Sequence, residues 1–244
     1  MLEKCIVVDL ETTGLDPKKD KIIEIGALKI ENDQIVDQFS KLVNPGRKLE
    51  ERIVEITGIQ DEELEQALYI EEILPLFLEF AEDWDLMGHS VLFDFSFLKR
   101  ACVNQGHSFE RNGIDTLRIA RRHLPQLESR SLPYLCKFFK IEHNPHRAFS
   151  DVEATYDLYK RLCQEFYNES MPEEEKKIFQ PGKLIYQVKR EQPASERQIE
   201  RLKKLMEYHK IQPDRNINRM SRNEINRYTD QLILQFGRLP KAGV

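Results

Sequence analysis

The sequence lacks the features of membrane-spanning and secreted proteins. No apolar run approaches the ~18–20 residues needed to cross a bilayer, and no charged leader with an apolar signal region precedes the first strand-like segment. The chain has only four cysteines, and none is spaced as C-x-x-C, which argues against a structural zinc site. We therefore expect a cytoplasmic protein with reduced, mostly buried thiols.

Acidic residues exceed basic ones, but the charge is unevenly distributed. The 244 residues include 37 Lys and Arg against 42 Asp and Glu, a formal net charge of −5. Residues 183–244 hold 14 of the basic and 7 of the acidic side chains, a net of +7, so residues 1–182 carry −12. An acidic body with a basic tail indicates two units. Contact with nucleic acid explains a basic unit, and a solvated helical face rich in Lys and Arg explains it equally well.

The order of hydrophobic patterns predicts a mixed α/β fold. Three strand-like runs open the chain at residues 4–10, 21–30 and 34–43, and the short polar links between them are typical of an antiparallel meander. Helical patterns follow, interrupted by a short buried strand at residues 85–87. The order βββ–α–β–α–β–α predicts a mixed five-stranded sheet flanked by helices.

The clearest helix is predicted at residues 150–167. Apolar residues recur there at helical period, and Ser150 and Glu153 have the spacing of an N-terminal capping box. We therefore expect the helix to begin with Ser150 as its cap.

The rest of the chain predicts a linker and a small helical module. Residues 169–192 combine prolines with an acidic run. Two short helices follow, and each has its own capping box, Ser195 with Gln198 and Ser221 with Glu224. We expect a first domain at residues 1–168, a linker at 169–192 and a basic two-helix module of unknown role at 193–244.

Two carboxylates at the end of the first strand are the most informative residues. Asp9 and Glu11 end an apolar run, and side chains at i and i+2 of a strand point to the same face. Because neighbouring carboxylates repel, each raises the pKa of the other unless a cation neutralises them. Mg²⁺ accepts one or two protein carboxylates together with phosphate oxygens. The pair therefore predicts half of a metal site that handles phosphate.

Three later residues fit the same chemistry. Asp94 lies where a predicted strand leads into a helix, Asp151 lies in the first turn of the helix at residues 150–167, and His146 lies in the loop before it. Four carboxylates can hold two divalent ions that clamp the attacking and leaving oxygens of a phosphodiester. A nearby histidine can accept a proton from the attacking water at neutral pH. The other histidines have no ligand spacing, and Asp115 is expected to be a structural helix cap.

The motifs resemble a known family. Asp9-Leu-Glu-Thr-Thr-Gly14, the Phe93-Asp94 segment and His146-x-Ala-x-x-Asp151 are similar to the three motifs of the DEDDh 3′–5′ exonucleases, the DnaQ-like group that includes polymerase proofreading subunits. The resemblance covers roughly residues 3–167. It implies a ribonuclease H-like fold and two Mg²⁺ or Mn²⁺ ions bound by Asp9, Glu11, Asp94 and Asp151, with His146 as the general base.

The same resemblance implies where substrate is contacted. Thr12, Thr13 and Leu15 correspond to the family's contacts to the 3′-terminal nucleotide. Ser90 stands where family members often carry asparagine, and because both side chains can hydrogen-bond, Ser90 is expected to contact the substrate there. Phe93 either stacks on a base or belongs to the core, and the core interpretation is favoured.

Three functions remain open at this point. A Thr-Thr-Gly sequence in the first motif favours exonucleolytic removal of nucleotides from DNA 3′ ends, releasing 5′-monophosphates in replication or repair proofreading. The alternatives are an exoribonuclease that trims RNA 3′ ends and a non-catalytic replication-associated binding module. The resemblance to polymerase proofreading subunits implies a DNA polymerase as partner. Residues 231–236 read Gln-Leu-Ile-Leu-Gln-Phe, similar to peptides that dock on the sliding clamp, which is a second candidate partner. In a capped helix, however, Leu232 and Phe236 are expected to be core residues.

Overall fold

The computed structural model describes residues 3–145 and 147–240. One mixed sheet with strand order β3-β2-β1-β4-β5-β6 organises the first part of the chain. The strands are β1 (Lys4–Thr12), β2 (Ile22–Glu31), β3 (Gln34–Leu42), β4 (Leu86–Gly88), β5 (Asn112–Asp115) and β6 (Gly182–Lys183). The antiparallel meander of β1, β2 and β3 is confirmed. Strands β4 and β5 run parallel to β1, so the sheet is mixed, as predicted.

Helices flank the sheet and follow the predicted segments closely. They are α1 (Glu51–Thr57), α2 (Asp61–Glu65), α3 (Ile70–Ala81), α4 (Leu92–Gln105), α5 (Thr116–His123), α6 (Leu132–Phe139), α7 (Ala148–Phe166), α8 (Glu173–Lys176), α9 (Glu196–His209) and α10 (Arg222–Phe236). None of the helices in the described part of the chain is both long and apolar enough to span a membrane.

The alternation of side chains along β1 divides the core into two layers. Cys5 and Val7 belong to the hydrophobic cluster that contains the apolar face of α7. Ile6 and Val8 belong to the opposite cluster, which contains residues of α3 and α4. Because successive strand residues point to opposite faces, Asp9 and Glu11 continue the face of Cys5 and Val7. The packing of α7 on this face therefore decides what lies near the two carboxylates.

The sheet has six strands, one more than predicted. The segment expected to be a linker contains α8, a 3₁₀ turn at Lys177–Phe179 and β6, which pairs antiparallel with β5. Phe179 is buried in the core, and its carbonyl accepts a hydrogen bond from the Tyr159 hydroxyl at 3.1 Å. A two-residue strand carries too little alternation to be predicted from the sequence.

The chain divides into two compact units. The first comprises the chain up to Val188 apart from Gly46–Lys48, and the second comprises Gly46–Lys48 together with the chain from Lys189. The first unit thus extends twenty residues beyond the predicted boundary at residue 168, because the segment from α8 to β6 packs with the sheet.

The second unit has its own hydrophobic core. Ser195 and Ser221 cap α9 and α10 through reciprocal capping boxes with Gln198 and Glu224, as predicted. The helices bury a set of apolar side chains against each other: Leu202, Leu205, Met206, Ile225, Tyr228 and Leu232.

The Gln-Leu-Ile-Leu-Gln-Phe segment lies in the last turns of α10. Leu232 is only 5% exposed and belongs to the core, as expected. Phe236 is 44% exposed, so its assignment to the core was wrong. Its ring lies 5.9 Å from that of His209 at the end of α9, near the rim of the small core. Docking of this segment as an extended peptide would require α10 to unwind and Leu232 to leave its core.

The predicted cap of α7 is wrong. The helix begins at Ala148 with Arg147 as its N-cap residue, so Ser150 lies inside the first turn. The Ser150 hydroxyl accepts a hydrogen bond from the Asn144 amide at 3.1 Å instead. The helix starts early because a buried carboxylate of β2, Glu24, accepts the hydrogen bond of the Ala148 amide at 3.1 Å. The cap therefore comes from another element, which local sequence spacing does not reveal.

Gly26 permits the close approach of β2 to the start of α7. A Cβ atom at this position would lie 2.4 Å from the carbonyl carbon of Ala148 and 2.6 Å from its oxygen, both backbone atoms that cannot rotate away. Any larger residue at position 26 must therefore displace the helix start.

We predict that Gly26→Ala lowers the free energy of unfolding by about 1–3 kcal/mol, the usual cost of overpacking a tight contact. Urea denaturation of the full chain measures the change. The matched control is Gly182→Ala, because no atom lies within 4 Å of a Cβ at that position. Equal unfolding midpoints for the two variants would show that β2 and α7 can separate without cost.

Candidate active site

Three carboxylates meet where β1 passes the first turn of α7. Asp9 and Glu11 come from β1, and Asp151 comes from α7. One oxygen from each lies within 4.8 Å of the other two. Carboxylate oxygens are the ligands that hard divalent cations prefer. The structure thus brings together three of the four predicted metal ligands in a group with the donor chemistry of a magnesium or manganese site.

The start of α7 is held in place by Glu24. This residue faces Glu11 across the β1–β2 ladder and is 2% exposed. Its carboxylate accepts the Ala148 amide hydrogen bond and pairs with the Arg147 guanidinium at 3.3 Å. Because Asp151 lies one turn after Ala148, these contacts determine where the Asp151 carboxylate lies relative to β1.

The pKa values of the cluster show that it is short of positive charge. Desolvation raises the pKa of Asp9 well above its ordinary value, and the charges of Asp94, Asp151 and Glu11 raise it further. The pKa of Glu11 rises to about 8, again through desolvation first and then through Asp151 and Glu24, while Arg147 lowers it. Such a group gains stability by binding either protons or cations. The mutual repulsion of these carboxylates is thus compatible with the binding of divalent metal ions.

Asp94 lies beside the cluster, in the first turn of α4. It is 2% exposed, and its Oδ1 atom accepts a hydrogen bond from the Leu10 amide, between the two β1 carboxylates, at 3.1 Å. Burial raises the pKa of Asp94, and the hydrogen bonds from its own amide and from Leu10 oppose the rise. Asp94 is not one of the three residues whose oxygens lie within 4.8 Å of one another. Its charge nevertheless acts directly on Asp9.

His146, the predicted general base, lies outside the described residues, so its role stays a prediction. A different histidine contacts the cluster. The Nε2 atom of His143 lies 2.5 Å from Oδ1 of Asp151, and its side chain is 5% exposed. His143 was expected to be structural, and no spacing in the sequence indicates this contact, because it depends on the path of the loop before α7.

Glu24 was also missed, although the sequence holds a signal for it. It is the only acidic residue in the apolar run Ile22-Ile-Glu-Ile25. Burial of a lone carboxylate in a central strand is costly unless it is hydrogen-bonded. A charged residue in such a strand is therefore a candidate for a structural or catalytic role.

The three residues predicted to contact the 3′ nucleotide lie at the end of β1, which ends at Thr12, and in the loop that follows it. Thr12 donates its hydroxyl to the Gly14 carbonyl at 2.7 Å, and the Thr13 hydroxyl accepts from the Lys21 amide at 2.9 Å. Both threonines are buried. Leu15, in the loop that these hydrogen bonds hold, is 84% exposed.

Ser90 and Phe93 lie between β4 and the first turn of α4. Ser90 has a left-handed backbone (φ 78°), and its amide donates to Oδ1 of Asp115 at 3.0 Å. The same oxygen accepts from the Leu117 amide at 2.9 Å, which confirms Asp115 as a helix cap. Phe93 is half-buried, with its ring 5.0 Å from that of Phe97. It therefore packs on its own helix and still keeps an exposed part.

The comparisons with known proteins agree with this geometry. The profile of the exonuclease family RNase_T matches residues 6–159, and the chain belongs to this family. The DNA polymerase III subunit epsilon of Aquifex aeolicus is 36% identical over 164 residues, which cover 66% of this chain and 81% of that protein. The PolC-type DNA polymerase III of Caldanaerobacter subterraneus is 40% identical over 161 residues, 65% of this chain. The chain spans only 11% of that polymerase.

Solved structures show the same fold. Exonuclease X in complex with 5′ overhanging duplex DNA covers 70% of this chain with a TM-score of 0.54 and 24% identity. The nuclease domain of 3′hExo, a DEDDh family member bound to rAMP, covers 69% with a TM-score of 0.58 and 18% identity. The ribonuclease H-like exonuclease fold expected from the motifs is confirmed.

We predict that the metal-free protein loses stability as the pH rises from about 5 to 8. The folded state keeps a proton on Glu11 up to about pH 8, whereas the unfolded chain releases it near 4.5. Stability falls with pH wherever the folded state binds more protons. Thermal unfolding in EDTA measures the slope, and saturating Mn²⁺ should flatten it. The control is Glu11→Gln, which should show a smaller decline. A wild-type melting temperature that rises over this range would contradict the electrostatic account.

Proposed function

We propose that the protein is a metal-dependent 3′–5′ exonuclease that removes nucleotides from the 3′ end of DNA and releases 5′-monophosphates. The observation that carries the proposal is the group of three carboxylates within 4.8 Å in a domain of the exonuclease family. A binding module without catalysis has no need for buried acids that raise one another's pKa.

Asp9, Glu11, Asp94 and Asp151 would hold two Mg²⁺ or Mn²⁺ ions. When bound, the ions supply Lewis acidity that activates a water molecule and stabilises the leaving 3′ oxygen. The carboxylates contribute by losing their protons, so that their negatively charged oxygens can bind the ions. Glu24 contributes indirectly, because it holds the start of α7 and with it Asp151.

The remaining residues act on the water and on the nucleotide. His146 would accept the proton of the attacking water, as its place in the third motif implies. Thr12, Thr13 and Leu15 would position the terminal nucleotide, with Leu15 supplying exposed apolar surface. Because a paired end must first unstack, we expect faster removal from single-stranded or frayed ends.

DNA is the favoured substrate, and a DNA polymerase is the favoured partner. The two relatives described above are named as DNA polymerase III proteins, and the exonuclease X structure was solved with duplex DNA. A role in copying DNA also supports the expected cytoplasmic location. The exoribonuclease alternative is favoured by one observation, since the DEDDh nuclease 3′hExo was solved with rAMP. A sliding-clamp partner is disfavoured, because Leu232 is part of a folded core.

We predict that the purified full chain shortens a 5′-labelled single-stranded DNA from its 3′ end in Mg²⁺ or Mn²⁺, and does so faster than an RNA of equal sequence. Asp9→Asn should abolish shortening, because it removes a charged ligand. His146→Ala should lose most turnover but keep metal binding. The matched control is Asp157→Asn, which alters an exposed acid of α7 paired with Lys160.

Each outcome of that assay selects one function. Faster loss of RNA would favour the exoribonuclease. Failure to shorten either polymer, with Asp9→Asn behaving like the wild type, would leave the binding module as the function.

A further inference from the structure

A cleft lies between α5 and α6. Its volume is about 510 Å³, within the usual range for small-ligand sites. The walls combine apolar and charged side chains, with Leu117 and Arg121 from α5, Leu132 from α6, and Glu128 and Arg130 from the loop between them. The predicted catalytic and substrate residues do not include any of these.

His89 links the cleft to the acidic cluster. It lines the cleft directly after β4. Its Nδ1 atom lies 2.9 Å from the Thr116 hydroxyl and its Nε2 atom 2.8 Å from the Arg130 carbonyl, so the ring is fixed at both ends. Burial lowers the pKa of His89, and the charges of both Arg121 and Asp151 act on the ring. His89 directly precedes Ser90, a residue expected to contact substrate, so the cleft adjoins the segment that carries this predicted contact.

Arg121 is an exposed cation on the wall of this cleft. Among residues 3–145 and 147–240, its side chain makes no hydrogen bond or ion pair, and it is exposed. The next residue, Arg122, does not line the cleft and pairs with Glu175 at 3.2 Å. Arg130 directs its guanidinium to the Leu124 and Pro125 carbonyls. A guanidinium that is free on the wall of a cleft suits a phosphate oxygen.

The negative charge of the first part of the chain favours a cationic contact for the substrate strand. Residues 1–182 carry a net −12, and the carboxylates would repel the phosphates that flank the reacting bond. A strand with one phosphate at the carboxylates must pass a neighbouring surface, and the cleft offers positive charge, apolar walls and space for about one nucleotide. Glu128 also lines the cleft, and its negative charge disfavours a phosphate close to it, so Arg121 is the favoured contact.

We infer that the cleft is a nucleotide subsite, in which Arg121 contacts a backbone phosphate of the substrate strand one or more nucleotides from the reacting bond. The inference rests on the proposed nuclease function and adds to it a specific place for the body of the strand. Recognition through a phosphate carries no base preference.

Salt-dependent binding of the full chain tests the subsite. The probe is fluorescein-labelled dT12 in CaCl₂, followed by anisotropy for the wild type, Arg121→Gln and the control Arg122→Gln. We expect Arg121→Gln to raise Kd about tenfold. We also expect it to reduce the slope of log Kd against log salt by about 0.7, the value for one phosphate contact on a single strand. Arg122→Gln should leave both quantities unchanged, whereas a purely structural defect would not change the slope.

Kinetics supply a second readout. In Mg²⁺, Arg121→Gln should raise KM for dT12 shortening far more than KM for the 4-nitrophenyl ester of thymidine 5′-phosphate, which has no neighbouring nucleotide. The subsite would be overturned if Arg121→Gln bound dT12 with the same Kd and the same salt dependence as the wild type. Equal losses in both arginine variants, or no binding of dT12 by the wild type, would overturn it as well. If dT12 binding depends on Arg121 but the protein shortens neither DNA nor RNA, the subsite stands and the proposed nuclease function is rejected.

Discussion

The contact between β2 and the first turn of α7 is the constraint on which the site depends. Gly26 leaves room for the Ala148 backbone, and Glu24 accepts the hydrogen bond of its amide. These two contacts bring Asp151, far along the chain, against the carboxylates of β1. Without them α7 could still bury its apolar face, because that packing is spread over several turns. The position of the Asp151 carboxylate relative to those of Asp9 and Glu11 would then no longer be fixed.

This arrangement costs stability in the metal-free protein. Asp9 and Glu11 both have raised pKa values, with desolvation as the main cause and neighbouring carboxylates as the next. A folded protein tolerates such a cluster when a ligand offsets the repulsion, since binding to the native state alone adds stability. The same excess of negative charge disfavours a polyanionic ligand unless cations offset it. Proton binding and metal binding at these carboxylates are therefore expected to compete.

Much of the fold and the centre of the site could be predicted, because both depend on local patterns. Alternation along β1 gives the shared face of Asp9 and Glu11, and helical periodicity gives α7 with Asp151 in its first turn. The failures concern contacts between distant elements. The cap of α7 comes from Glu24, more than a hundred residues away, and the sixth strand is too short for a periodic signal. The contact of His143 with Asp151 depends on a loop path that no local rule describes.

The central claim is that the clustered carboxylates exist to hold divalent ions, and calorimetric titration with MnCl₂ tests it most directly. The full chain at pH 8 with thymidine 5′-monophosphate should bind two Mn²⁺ ions. Asp151→Asn should remove at least one of them, whereas Asp157→Asn, on the exposed face of the same helix, should bind like the wild type. The account would be contradicted if the wild type bound no Mn²⁺, or if Asp151→Asn bound both ions with unchanged affinity.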